Sequence, residues 1–284
     1  MTEASDSTSM PTASETYTLG YDPVVVRVLQ DRTLATCASF LLPYLRPGMT
    51  VLDCGCGPGA MTIEIAERVA PGQVVGIDID PGQCVRAQAL AADRGVTNVR
   101  FEPADVYALP YPDASFDVVF SHALVTHLSE PIRALVESRR VLKPNGVIAP
   151  SGNEFDAIVF SPVDSPMKRL MSLYVRLLTH NGGNRVRARD LRGALLQAGF
   201  VRVEGHADHS EYGTSEQLRS IAGGYAAIAR GSNFVETVVG QGWSDEAEMA
   251  ALPDDVLRWG ERPDAFLAVM KCGALGWVSS TTSP

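Results

Sequence analysis

Residues 51–59 read Val-Leu-Asp-Cys-Gly-Cys-Gly-Pro-Gly, and this stretch constrains the fold more than any other. An apolar pair leads into Asp53 and then into glycines at 55, 57 and 59. Beyond it, Met61, Ile63, Ile65, Ala66 and Val69 are spaced as on one face of a helix packed against a sheet. A strand, a glycine turn and a helix, in that order, open a doubly wound α/β domain whose ligand lies at the carboxyl ends of the strands. Glycine lets the backbone turn tightly and approach a ligand where a Cβ would intrude. The helix that follows offers unpaired N–H groups to the same ligand.

Two kinds of ligand suit this opening. Gly55-x-Gly57-x-x-Ala60 satisfies the loose dinucleotide fingerprint, with Asp78 near the spacing of a ribose-binding acid. Asp53 directly before the turn, and a third glycine at 59 instead of 60, favour the other kind. Asp53-x-Gly55-x-Gly57-x-Gly59 resembles motif I of the class I S-adenosylmethionine-dependent methyltransferases. The resemblance implies S-adenosyl-L-methionine as cofactor and S-adenosyl-L-homocysteine as its product. Gly55, Cys56 and Gly57 would then approach the amino-acid tail, with Asp53 balancing its ammonium. It also implies a Rossmann-like doubly wound sheet of seven strands, the last antiparallel.

Later segments fit the same frame. Val74–Ile77 reads as a strand ending at Asp78, placed to take both ribose hydroxyls, with Ile79 beside the adenine. Asp80 and Pro81 read as the cap and first residue of a helix running to about Arg94. After a third strand at 99–102, Asp105 resembles the family's adenine-recognising acid, and Val106 would meet the ring through its N–H. A fourth strand at 115–120 runs into Ser121, His122 and His127, beside the switch point where cofactor and acceptor meet. Ser121 is assigned to the cofactor. Each histidine is either a base or substrate contact, or simply structural.

Val141–Gly146 and the strand after it resemble the quinone- and sterol-type small-molecule methyltransferases, a likeness spanning about Tyr17 to Pro150. In such relatives the segment before the first strand folds over the cofactor. That would place Tyr21, or less favourably Tyr17, by the sulfonium, where a π face favours positive charge. Arg32 either meets the methionine carboxylate or is a surface arginine.

The expected organisation is a loose tail at 1–16, one domain at 17–278 with a helical lid at 17–46, and a loose tail at 279–284. Helical insertions at 151–182 and 213–262 would roof the acceptor pocket. They carry Phe155, Phe160, Met167, Met171, Tyr174, Tyr225, Phe234 and Trp243, with few charges among them. Such walls suit a largely apolar small-molecule methyl acceptor, for instance a secondary metabolite or a quinone- or lipid-like compound. A net charge of −9 argues against nucleic acid as partner. Five cysteines form no disulfide framework and show no metal-ligand spacing, so no metal is expected. No apolar run has membrane-spanning length, and the first sixteen residues lack the apolar centre of a secretory signal, which points to a cytoplasmic protein. A monomer and a homodimer both remain open. So do two other functions on this fold: a cyclase-like enzyme that binds the cofactor without transferring methyl, and a non-catalytic ligand-binding subunit.

Overall fold

A computed structural model of the chain describes residues 26, 29–30, 32–181 and 187–280. Its seven strands are β1 (Val51–Cys54), β2 (Val74–Asp78), β3 (Val99–Pro103), β4 (Phe116–His122), β5 (Leu142–Ser161), β6 (Arg202–Tyr212) and β7 (Phe266–Trp277). They form one sheet in the order β3-β2-β1-β4-β5-β7-β6. Parallel pairing joins β3 through β5, and β7 runs antiparallel to both of its neighbours. The chain order reverses between β1 and β4, which makes the gap above their carboxyl ends the switch point. This is the doubly wound sheet with a reversed last strand that the sequence implied.

The central strands are buried on both faces, so they read as continuous apolar runs, and alternate residues serve opposite layers. Val51, Val74, Val118 and Phe120 pack with helix α1 (Ala60–Val69) and with Ala91 of α2 (Pro81–Asp93). Leu52, Val75 and Val119 pack on the other face with α3 (Pro131–Val141) and α5 (Arg187–Gln197).

A third core lies beyond the sheet. Helices α4 (Pro166–His180), α6 (Ser215–Arg230), α7 (Ser232–Gly240) and α8 (Glu246–Gly260) bury Leu170, Ala222, Phe234 and Trp259 against Leu267 and Val269 of β7. Further along the same strand, Ala274 and Leu275 each enter one of the two sheet-face cores. Close approach of α6 and α8 depends on Gly260, where a Cβ would fall 2.6 Å from Ala222 Cβ.

One expectation changes. Residues 151–161 are not helical: β5 continues to Ser161 because Ile158–Ser161 pair with the early part of β7 after a register irregularity. β6 runs from Arg202 to Tyr212, with β7 as its partner throughout. Within the expected lid at 17–46, the described residues include helical positions 26, 29 and 30, a helical turn (Leu34–Cys37) and a 3-10 segment (Ser39–Tyr44). Glu64 fastens this segment by accepting the Leu34 N–H at 2.9 Å, and Phe40 stacks on His206 at 5.0 Å.

Candidate active site

A cavity of about 490 Å³ opens over the carboxyl ends of β1 to β5, and its floor is the glycine turn. The Gly55 and Cys56 N–H groups both donate to the Ile77 carbonyl, at 2.8 and 2.9 Å, tying the turn to the end of β2. One turn further, the Gly57 N–H donates to Asp78 Oδ2 at 2.9 Å while the Asp80 N–H donates to Oδ1 at 3.0 Å. Two of these glycines have separate reasons to be there. Gly57 has φ +53°, and a Cβ on it would meet open space, so bare backbone faces the cavity. Gly59 has φ +86°, and a Cβ there would lie 2.6 Å from Ala87 Cβ, within the packing of α1 on α2.

Asp78 and Ile79 line the cavity at the β2 end, with Ala104, Asp105 and Val106 beside them from the β3–β4 loop. Ile79 is 56% exposed, an apolar side chain presented to a ligand instead of to the core. Asp105 Oδ1 accepts the Tyr107 N–H at 2.8 Å, which fixes its carboxylate in the loop. Arg133 covers the Tyr107 ring, 5.0 Å from its centroid. Burial raises the Asp78 carboxyl above its ordinary value, partly offset by the Asp80 and Gly57 N–H groups.

Asp53 does not line the cavity. It lies 2% exposed beneath the turn, and its Oδ2 accepts the Thr62 hydroxyl at 2.6 Å. Burial pushes its carboxyl up to about 7, with the Asp78 charge adding to the shift and the Thr62 bond opposing it. Ser121 is likewise buried, at the end of β4, and stays out of the lining. Cys56 does reach the cavity, and Cys84 lies within hydrogen-bonding reach of its thiol. Tyr21 and Tyr17 lie outside the described residues.

The far end of the cavity carries Arg32, His122, His127 and Asn153. His122 is buried, and its Nδ1 pairs with Ser151 Oγ at 2.9 Å. Its imidazole is held well below the usual histidine range, first by burial and then by the charges of Arg32 and Lys271. His127 stands on a separate 3-10 turn, Val125–His127. Phe155 and Tyr174 close this end as an edge-to-face pair, 5.2 Å between ring centroids.

Of the other expected wall residues, Met167 and Phe234 are fully buried in the helical core, and Tyr225 packs against it. Phe160, Met171 and Trp243 line a neighbouring cavity of about 640 Å³ that meets the first at Phe155. Among the described residues, no three His, Cys, Asp or Glu side chains could hold a metal ion together. No helix of the described residues is long and apolar enough to cross a membrane.

Gln83 was missed in the sequence. It lines the cavity, is 1% exposed, and neither its Oε1 nor its Nε2 has a hydrogen-bond partner among the described residues. A signal was available: residues 83, 87 and 91 recur every fourth position along the buried face of α2, and Gln83 is the polar one.

A parallel sheet with its cavity at the switch point, floored by a glycine turn and edged by two strand-end acids, defines a nucleoside-cofactor α/β domain of the methyltransferase type. Residues 52–149 match the methyltransferase domain family. An uncharacterised methyltransferase of Schizosaccharomyces pombe is 30% identical, over 72% of this chain and 75% of its own. A protein of Aspergillus luteorubrus named as a methyltransferase, ltbC, is 30% identical over 92% of this chain and 96% of its own. A ubiquinone/menaquinone biosynthesis C-methyltransferase of Ectopseudomonas mendocina is 32% identical over 67% and 75%. Among solved structures, an S-adenosylmethionine-dependent methyltransferase from Aquifex aeolicus superposes with a TM-score of 0.50 at 25% identity, over 65% of this chain and 90% of that one. The chain belongs to the class I S-adenosylmethionine-dependent methyltransferases, and S-adenosylmethionine is its cofactor.

Proposed function

We propose that the protein methylates a largely apolar small molecule held between the histidine end of the cavity and the Phe155–Tyr174 pair. The observation that carries this reading is that aromatic wall, which lines the same cavity as His122, His127 and Asn153, with Arg32 as the charged side chain at that end. A pocket of this make-up takes an apolar body and orients it through a few polar groups. The ubiquinone/menaquinone relative supports a quinone-like or similarly apolar acceptor. Secondary metabolism is the setting we infer.

The residues present fit the cofactor. Bare backbone at Gly57 and the outward Ile79 form a cradle with acids at both nucleoside-side strand ends. Asp78 would hold the ribose, Asp105 and Val106 the adenine edge, and Gly55–Gly57 the amino-acid tail. Asp53 would act from beneath the turn, through its charge. S-adenosylmethionine supplies an electrophilic methyl on its sulfonium. The chain's own work is to align an acceptor atom with that methyl and to exclude water, which removes much of the entropic barrier. An acceptor hydroxyl must also lose its proton, and two histidines line the cavity. His122 is neutral but a weak base, because burial and two nearby cations oppose its protonation. His127 lines the same cavity from its own 3-10 turn, and we assign the proton-accepting role to it.

The test is transfer of labelled methyl from S-adenosylmethionine to a panel of quinones, phenols, lipids and charged metabolites. Turnover of the apolar members is expected. A strong preference for charged acceptors would overturn the reading, and cofactor binding with no transfer to any acceptor would favour a non-methylating enzyme.

A further inference from the structure

We infer that the side-chain amide of Gln83 binds the adenosine part of the cofactor, an inference that rests on the cofactor site described above. Its place in the fold sets which end it can serve. Gln83 occupies the first turn of α2, directly after β2, and α2 is capped by the Asp80 carboxylate accepting the Gly82 N–H at 2.9 Å. The Cys84 thiol rests against the backbone at Asp78, which draws this turn onto the end of β2. In the sheet order, β3 and β2 lie on one side of β1, and the histidines of the β4 end lie on the other. Gln83 thus shares its side of the cavity with Asp78, Ile79 and Asp105, not with the acceptor groups.

The chemistry follows from burial. At 1% exposure, a primary amide with no partner among the described residues for either its oxygen or its nitrogen is costly to keep, because buried polar groups in folded proteins are normally satisfied. The neighbouring buried positions Ala87 and Ala91 are apolar, so nothing in the packing of α2 calls for an amide. A methionine or leucine would fill the same space without the cost. An amide presents one acceptor and two donors from a single plane. That set complements the nitrogen edge of a purine or the paired hydroxyls of a ribose, and it has nothing to offer the thioether sulfur of the product.

The test compares wild type with Gln83→Met, Gln83→Leu and Asp78→Ala, using calorimetric titration with S-adenosylhomocysteine and melting of the ligand-free proteins. Both Gln83 variants should bind about tenfold more weakly, equivalent to about 1.4 kcal/mol. Ligand-free, they should melt at the wild-type temperature or above it, since the substitution removes unsatisfied buried atoms. Weak binding by Asp78→Ala together with wild-type affinity in both Gln83 variants would overturn the role of Gln83 alone. A fall in affinity accompanied by a lower ligand-free melting temperature in both would make Gln83 structural and overturn it as well. Wild-type affinity in Asp78→Ala would instead show that the cofactor site is misplaced, and the inference would fall with it.

Discussion

Replacing Asp53 with Asn removes a charge that the fold holds at a cost, and the size of that cost can be worked out. The carboxyl moves from an ordinary 3.8 to about 7 on folding, chiefly through burial. At about 1.4 kcal/mol per pH unit, ionised Asp53 destabilises the ligand-free protein by roughly 4 kcal/mol. The sign follows from proton counts. Below pH 3.8 both states hold the proton and no penalty exists. Between 3.8 and 7 the unfolded chain has released it while the folded chain keeps it, so stability falls as pH rises. Above 7 the penalty is constant. Asp53→Asn should therefore gain on wild type by roughly 2–3 kcal/mol between pH 5 and pH 7, and by little more beyond pH 8. Any fixed offset from new amide donors beside Thr62 is independent of pH. Urea unfolding of both proteins without ligand, at pH 5, 6, 7 and 8, measures the difference. Parallel stability curves across that range would refute the reasoning. A second readout bears on function: if positive charge on the cofactor stabilises ionised Asp53, product binding near pH 6 releases a proton in wild type and none in the variant.

Three further outcomes are expected. His127→Ala should lower kcat on a hydroxyl acceptor by roughly 10²–10⁴-fold, while calorimetric affinity for S-adenosylhomocysteine stays unchanged; undiminished turnover would leave positioning as the whole mechanism. Phe155→Ala and Tyr174→Ala should each raise the acceptor KM, with the cofactor KM intact, and a shift confined to the cofactor would displace the acceptor from that wall. Gly260→Ala should cost roughly 1–3 kcal/mol in urea, because its Cβ would lie 2.6 Å from Ala222 Cβ and 3.0 Å from the Leu218 carbonyl; in an open helix the same change would stabilise.

Sequence alone reached the sheet because each parallel strand is a short apolar run closed by a turn or an acid, a local pattern. That Gly57, Asp78, Ile79, Asp105 and His127 line one cavity follows from the same kind of pattern: each sits at a strand end or in a turn whose geometry the neighbouring residues dictate. What failed were judgements that depend on distant partners. Residues 151–161 carry no local strand signal beyond their apolar positions, and they are extended because β7 returns alongside them. Met167 and Phe234 are as apolar as any pocket wall, but three other helices cover them. Asp53 and Ser121 lie within one or two residues of the cavity and are buried outside its lining. Nothing in a string of letters shows that Gln83 lacks a partner among the described residues.

β7 gives Leu267 and Val269 to the helical core and Ala274 and Leu275 to the two cores of the sheet. One strand is thus the splice between two bodies of packing that share no buried residue. Inheritance can act on them separately. If the acceptor lies against Phe155 and Tyr174 as proposed, substitutions among α4, α6, α7 and α8 would reshape what the protein accepts while the turn, the two strand-end acids and the layers around them stay as they are. On that placement, a lineage with this scaffold could exchange acceptors without reinventing how the methyl donor is held.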